Sequence, residues 1–259
     1  MSDSLPEPEI ESKTPAVGWA GTANSYPAGL MRPVKPIVHS WSSIVEFNNC
    51  AWRWYLSKIE KSLPFEQTEE LREGNIRHKA LEEAVRDGAP LPHKYAVDKP
   101  MVDALRASGG IKLVEWQWGL NRNWQVVTFF ADDVWIRGKI DVAIVGTKHA
   151  FNGDYKTGKV KEDDGHFGQL DLFTIPLMVR YPQLESVKSA YLWLAGGSMS
   201  KPKVIPADEL PSLKEHASYR ILRIEDAVKR GVFPKTPSGL CRKHCPVPRA
   251  RCEYQGRDI

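Results

Sequence analysis

One segment, GDYKTGKV from Gly153 to Val160, carries residue types that fit two different chemistries. Written as G-x-x-x-x-G-K, it matches most of a phosphate-binding loop. Such a loop needs a Ser or Thr after the lysine, because that hydroxyl holds Mg²⁺, and it opens a helix whose N-terminus faces the phosphates. Here the next residue is Val160, and the sequence that follows, KVKEDDGHFG, is a poor helix start. The phosphate-loop interpretation is therefore disfavoured.

The second interpretation takes the front of the same segment as D-x-K on a β-strand. Residues i and i+2 of a strand project from one face, so Asp154 and Lys156 would point together and Tyr155 would be buried on the other side. A carboxylate can bind a divalent cation, and a nearby ammonium can orient a water or offset charge on a phosphate. Because one carboxylate does not hold Mg²⁺ alone, further ligands must converge on this site.

The segment RGKIDVAIV supplies a second acid. On a strand, Asp141 would project from the face opposite to three apolar residues, Ile140, Val142 and Ile144. An acid in such apolar surroundings must be paired or bind a metal. If the two strands are antiparallel neighbours, Asp141 and Asp154 come within reach of one ion.

Two more polar residues lie on predicted helices. His78 follows Gly74 by four residues, so both share one helix face. Glycine inside a helix costs about 1 kcal/mol, so a close approach by another element would explain it, and His78 could then be a ligand. Gln169 is polar among apolar neighbours and could bind DNA or a group of the active site. Each residue alone has an ordinary structural explanation, and the ordered set carries the hypothesis.

The elements that would position these residues follow from the hydrophobic pattern. Ser43 and Glu46 predict a capping box on the first helix. The period predicts helices over 40–60, 69–88, 100–108, 165–182 and 209–231. β-Branched and aromatic runs predict strands over 111–120, 124–130, 134–146, 149–156 and 187–197, the first four in an antiparallel series. We therefore expect an α/β domain with a central mixed sheet.

The bulk composition sets wide bounds. The chain has 259 residues and a net charge of +4, which fits a polyanionic partner but is weak evidence for one. No apolar run approaches the about 20 residues of a membrane helix, and the N-terminus has no secretory signal, so a cytoplasmic protein is expected. Residues 1–36 are rich in Pro, Ser and Glu and are predicted to form a disordered arm. Residues 37–259 are predicted to form a single domain with a cysteine-rich tail over 233–259.

The four cysteines are few but unevenly placed. Cys50 lies early, whereas Cys241, Cys245 and Cys252 cluster near the end of the chain. In a cytosolic chain of this size disulfides are disfavoured, and clustered cysteines more often hold a metal. Free buried thiols are the alternative.

Taken together, G-x-x-x-H, GKID, DYKTGK and Q-L-x-x-F resemble the RecB-like branch of the PD-(D/E)XK nucleases. The segment SWSSIVEFNNCAWRWYLSKI resembles the family's opening helix. The tail CRKHCPVPRARC is similar to the C-terminal cysteine cluster of the iron–sulfur members, which include CRISPR-associated RecB-like exonucleases and AddB-type recombination nucleases. The resemblance runs from about Ser40 to Tyr254 and implies a restriction-endonuclease-like core, a mixed β-sheet flanked by helices.

The resemblance also implies roles for individual residues. His78, Asp141 and Asp154 would bind Mg²⁺ or Mn²⁺, with the Tyr155 carbonyl as a further ligand, and Lys156 would position the attacking water. Gln169 would match the family's glutamine motif. The chain departs from the family in three places: Gly153 for Pro before the acid, Phe173 for the Tyr of the glutamine motif, and Ala51 for the Pro after the first cysteine.

All four cysteines fall at the family's four places, although the spacing C-x3-C-x6-C is one residue longer in each gap than expected. Four thiolates, Cys50, Cys241, Cys245 and Cys252, could hold a [4Fe–4S] cluster or, alternatively, a structural zinc. Such a group would tie the first helix to the tail and close the domain.

The function that the resemblance implies is metal-dependent hydrolysis of DNA, as an exonuclease on single strands or duplex ends. The alternatives are a non-catalytic nucleic-acid-binding protein that keeps the fold and a structure-specific endonuclease. Some tryptophans could stack on unpaired bases, and basic residues such as Arg77, Lys159 and Lys161 could line a strand path. A helicase, or a recombination or CRISPR adaptation protein, would be a separate chain, and no membrane partner is expected.

Overall fold

A computed structural model describes residues 27, 29–31, 33, 35–64, 67–158, 168–194 and 196–257. The predicted disordered arm, residues 1–36, falls largely outside the described residues. Lys159, Val160 and Lys161 also lie outside them, so the last two residues of the GDYKTGKV segment are not described.

The described chain starts with helices and continues with four consecutive strands, a helix, three further strands and two last helices. The α-helices are α1 Trp41–Asn49, α2 Ala51–Lys58, α3 Glu69–Asp87, α4 Lys99–Ala107, α5 Gln169–Arg180, α6 Leu210–Arg230 and α7 Leu240–Lys243. Short 3₁₀ helices cover His93–Asp98 and Ala207–Glu209. The strands are β1 Ile111–Leu120, β2 Val126–Val127, β3 Ile136–Val145, β4 His149–Lys156, β5 Ser186–Trp193, β6 Ser198–Met199 and β7 Lys203–Pro206.

The strands form one mixed sheet in the order β2-β1-β3-β4-β5-β6, with β7 also paired to β5. Strands β1, β3 and β4 are antiparallel neighbours, and β4 runs parallel to β5 after the crossover through α5. Helices α3 and α4 pack on one face, and α1, α2, α5 and α6 pack on the other. The expected fold class, a central mixed sheet flanked by helices, is confirmed.

The first helix is not continuous, as the pattern predicted, but breaks at Cys50. This residue has φ −165° and ψ 109°, which is extended backbone, and it separates α1 from α2. The break leaves donors at the start of α2 without helical partners, and the backbone N–H of Trp52 donates instead to the Pro234 carbonyl at 3.2 Å. The predicted cap is also shifted, because the side chain of Ser40 accepts from the Ser43 N–H.

The strand predictions were correct except near the ends of the sheet. The segment 124–130 was predicted as a full strand, but only Val126–Val127 pairs with β1. The rest of that segment turns away and carries two phenylalanines at the edge of the sheet. Strands β6 and β7 were not predicted, because two and four residues are too short to show a period.

Candidate metal-dependent active site

The site lies where β1 and β3 change which face of the sheet they bury. Along β1, Val114 packs with the α3 and α4 layer, whereas Trp116 packs with the opposite layer. Between them Glu115 has φ +53°, a conformation that a non-glycine residue rarely adopts. Asp141 occupies the matching place on β3. The prediction that Ile140, Val142 and Ile144 share one face is therefore wrong, because Ile140 packs on the opposite side from the other two.

Three side chains of different elements meet at this point. Ligand atoms of His78 on α3, Glu115 on β1 and Asp141 on β3 all lie within 4.8 Å of one another. Nδ1 of His78 is 3.7 Å from Oδ2 of Asp141. Glu115 was not predicted from the sequence. The sequence signal for Glu115 is the one that identifies Asp141, an acid inside an apolar strand, here IKLVEWQWGL.

Asp154, Lys156 and Gln169 form a second group that adjoins the first. Nζ of Lys156 lies 2.5 Å from Oδ2 of Asp154. The Gln169 amide joins both residues, because its Nε2 donates to Asp154 Oδ1 at 2.7 Å and its Oε1 accepts from Lys156 Nζ at 2.9 Å. The predicted D-x-K arrangement, with Tyr155 buried on the other side, agrees with these contacts.

Backbone contacts bind the two groups together. The Tyr155 N–H donates to Asp141 Oδ2 at 2.7 Å, so the two strands fix the acid of one group against the D-x-K of the other. Helix α5 begins at Gln169, and its start is held by the Gly168 N–H, which donates to Asp171 Oδ2 at 2.7 Å. The structure thus brings together all four predicted catalytic residues and His78. The ligand role of the Tyr155 carbonyl stays a prediction.

Burial sets the electrostatics of the site. Asp141 is only 8% exposed and Asp154 only 3%. Burial and then the charge of Asp154 raise the pKa of Asp141 to about 8, and burial also raises the pKa of Asp154. Burial lowers the pKa of His78, which favours the neutral imidazole that ligates metals. Two carboxylates held this close stay unfavourably charged unless protons or a cation neutralise them.

Helix α3 is held in place by the residue next to His78. The Arg77 guanidinium donates to both oxygens of Asp98 at 2.8 Å and to the Leu194 carbonyl at 2.5 Å. Asp98 is fully buried, so this bidentate pair is shielded from water. The prediction that Arg77 contacts a DNA strand is therefore not supported, because the side chain anchors α3 against the end of β5.

Residues 39–253 match the family model of the PD-(D/E)XK nuclease superfamily. The match covers most of the chain and spans every residue of the two groups described above. The chain belongs to the PD-(D/E)XK nuclease superfamily. Within the superfamily, the finer resemblance to the RecB-like branch stays a prediction.

Two solved structures are similar to this nuclease-superfamily chain, both at low identity. One is the protein named SSO0001, with 16% identity, a TM-score of 0.41, and coverage of 72% of this chain and 76% of the other. The second is a protein from Eubacterium rectale called "Putative exonuclease", with 10% identity, a TM-score of 0.48, and coverage of 79% of this chain and 86% of the other. No curated protein matches the chain in sequence.

The cysteine-rich tail of this superfamily member folds back on α2. Cys50, Cys241, Cys245 and Cys252 are free thiols, and all four line one cavity. The tail is fastened beside it, because the Trp52 indole donates to the Arg251 carbonyl at 3.0 Å. Burial raises the pKa of the Cys245 thiol. The expected contact between the first helical segment and the tail is present.

Among the described residues, no helix has the length and apolar character that a membrane span requires.

Two glycines of the nuclease motifs are expected to respond oppositely to alanine. A Cβ on Gly138 would lie 2.6 Å from the Trp118 ring, so Gly138→Ala should destabilise the fold by about 1–3 kcal/mol through overpacking. A Cβ on Gly74 would lie 3.6 Å from Thr157 Oγ1, an ordinary contact, so the close approach predicted there is absent. Gly74→Ala should therefore stabilise α3 by up to about 1 kcal/mol.

Urea unfolding of both variants beside the wild type measures the two effects. Equal destabilisation by both alanines would contradict the assigned packing, as would a neutral Gly138→Ala.

Proposed function

We propose that this protein is a Mg²⁺- or Mn²⁺-dependent DNA nuclease that acts as an exonuclease on single strands or duplex ends. The observation that carries the proposal is the convergence of His78, Glu115 and Asp141 beside the Asp154–Lys156–Gln169 group. Membership of a nuclease superfamily supports phosphodiester hydrolysis as the reaction class.

The residues present fit a hard divalent cation. Two of the three converging ligands are carboxylates, and oxygen ligands suit Mg²⁺ and Mn²⁺. Within the described chain, Oε1 of Glu115 is buried without a hydrogen-bond partner, which leaves a lone pair free for a ligand bond. Burial and then the charge of Asp154 raise the pKa of Asp141, so a nearby cation would favour the charged carboxylate. A cation bound here would supply an activated water and would offset phosphate charge.

Lys156 and Gln169 position the reacting groups. The Lys156 ammonium is partly exposed, so it can face a phosphate while its contact with Asp154 fixes its direction. The Gln169 amide lies between that ammonium and the Asp154 carboxylate, because its oxygen accepts from Lys156 and its nitrogen donates to Asp154. The placement of Lys156 and Gln169 matters, because charged and polar groups stabilise a transition state best when they need no rearrangement during the reaction.

The proposal includes an iron–sulfur cluster held by Cys50, Cys241, Cys245 and Cys252. The four thiols line one cavity, and four thiolates can hold a [4Fe–4S] cluster, with a structural zinc as the alternative.

End-labelled single- and double-stranded DNA, incubated with Mg²⁺ or Mn²⁺, tests the proposed reaction. Wild type should degrade the substrate, Asp154→Asn should not, and the exposed Asp208→Asn should match wild type. Closed circular single strands separate the alternatives, since an exonuclease leaves them intact and an endonuclease cuts them. Wild-type activity no greater than that of Asp154→Asn would leave only the non-catalytic DNA-binding alternative.

A further inference from the structure

Two phenylalanines stand at the edge of the sheet outside the site described above. Phe130 is 77% exposed, more than any other large hydrophobic residue of the described chain. Its ring lies 5.0 Å from that of Phe129, at an interplanar angle of 79°. Single exposed apolar residues are common, so exposure alone says nothing about a ligand. The surroundings of the pair carry the inference.

Arg137 on β3 holds both rings in place. Its guanidinium carbon lies 4.5 Å from the centre of the Phe129 ring and 5.3 Å from that of Phe130. Its Nη1 also donates to the Phe129 carbonyl at 2.9 Å. The pair is thus fixed by two cation–π contacts and a hydrogen bond. A side chain that is both exposed and held in this way is preorganised for contact with something outside the chain.

Strand β3 leads from this pair to the carboxylates. Arg137 and Lys139 are two residues apart and so project from one face, with Asp141 two residues further on. Lys139 forms an ion pair with Glu115, whose carboxylate belongs to the candidate metal site. Four residues of strand span about 13 Å, which is about four nucleotides of stacked strand. Opposite Arg137, β1 has Gly119, which adds no side chain to this path.

We propose that Phe129 and Phe130 form a platform on which unpaired bases of the DNA substrate stack, while its backbone follows Arg137 and Lys139 to the carboxylates. This inference rests on the proposed nuclease function. Every base has a flat face, so stacking on an aromatic ring tolerates any sequence, as a degradative nuclease requires. The two cations on the route suit a polyanion.

Fluorescence anisotropy with a short labelled single strand tests the platform in an Asp154→Asn background, where the probe is not consumed. Phe130→Ala should weaken binding about tenfold, and Phe130→Trp should retain it within about twofold. Phe130→Leu should bind as weakly as Phe130→Ala, because it keeps the apolar surface and loses the flat ring. The slope of affinity against salt should stay unchanged, since no phosphate contact is removed.

Tyr219 supplies a matched control. It is a 63% exposed aromatic on α6, and Arg223 lies 5.9 Å from its ring centre. Tyr219→Ala should bind DNA as tightly as the Asp154→Asn protein, the parent of all these variants. Melting temperatures of the Phe130 variants should equal that of the parent, because an exposed side chain contributes little to the core.

A set of strands with one abasic site at successive positions locates the contact. The Asp154→Asn parent should lose affinity when the missing base lies a few nucleotides from the phosphate at the carboxylates, and adding Phe130→Ala should abolish this dependence on position. Equal affinity of Phe130→Ala and Tyr219→Ala, or absent binding by the parent, would overturn the platform. Parent-like binding by Phe130→Leu would also overturn it, because the flat ring would then not be required. Should the Phe130 variants behave as expected while wild type cleaves no DNA, only the proposed function fails.

Discussion

Replacing Asp141 with Asn is expected to lower metal-dependent DNA cleavage by at least about 1,000-fold, which corresponds to ~4 kcal/mol. The same change should raise the melting temperature of the metal-free protein at pH 8. Both effects have one cause. The Asp141 carboxylate is buried next to Asp154 and Glu115, an arrangement that favours a bound cation and is unfavourable without one. Asn keeps the shape and can still accept the Tyr155 N–H, but it carries no charge.

The effect on stability depends on pH with a definite sign. The pKa of Asp141 is about 8 in the folded protein, whereas an unfolded aspartate has a pKa of about 3.9. Between these values the folded state holds a proton that the unfolded state has released. The free energy of unfolding of the metal-free wild type therefore falls as pH rises from about 4 to about 8. Asn does not titrate, so Asp141→Asn should match wild type near pH 4 and exceed it at pH 8.

Melting curves at pH 4 and pH 8 in a chelator measure this difference, at about 2–4 °C for each kcal/mol in a domain of this size. Added Mn²⁺ should reverse the order at pH 8, because it binds folded wild type and stabilises it, while Asp141→Asn gains little. The exposed Asp208→Asn should follow wild type throughout. A variant that melts at the wild-type temperature in the chelator, or that still cleaves DNA, would refute the assigned role.

The catalytic motif was predictable because its residues lie close in sequence and follow strand geometry. The period of two places Asp154 and Lys156 on one face, and the structure brings them within 2.5 Å of each other. The buried acid in GKID indicated Asp141 by the same reasoning. Antiparallel pairing of β3 with β4, which the sequence also predicts, then brings Asp141 and Asp154 close together.

The change of face could not be predicted from the sequence, because it depends on pairing between distant segments. A strict alternation predicts that a strand buries one set of residues along its length. Here β1 changes the face that it buries at Glu115, and β3 does so at Asp141. The positive φ of Glu115 is a feature of the folded sheet. The exposure of the Phe129–Phe130 platform could not be predicted for a related reason. The segment that carries Phe129 and Phe130 shows a strand pattern, but it leaves the sheet after Val127.

The tryptophans show that composition alone does not predict which aromatic side chains can contact a ligand. Trp54 and Trp118, two of the nine tryptophans, are fully buried and cannot stack on bases. Trp54 donates from its indole nitrogen to the Ser43 hydroxyl at 2.8 Å, which is a structural contact. An aromatic-rich sequence indicates a core first, and only the fold shows which ring remains available to a ligand.

Replacing Cys50 with Ser is expected to destabilise the whole domain and to remove a visible absorbance band. Cys50 lies at the break between α1 and α2, and the other three cysteines come from the tail that covers this break. A metal group bound by all four would cross-link segments about 190 residues apart, a separation that makes the link effective. Loss of a structural metal costs several kcal/mol, so the melting temperature should fall by roughly 10 °C or more.

The wild-type protein, purified without oxygen, should be brown and contain iron, and Cys50→Ser should lose both colour and metal. Asn48→Ser, an exposed change two residues away on α1, should leave colour and melting temperature unchanged. Cleavage measured well below the melting temperature separates structure from chemistry. Cys50→Ser should retain activity there, because the cavity and the carboxylates are built from different residues. A colourless wild type with stoichiometric zinc would decide for the zinc alternative, and a metal-free wild type as stable as Cys50→Ser would decide for free thiols.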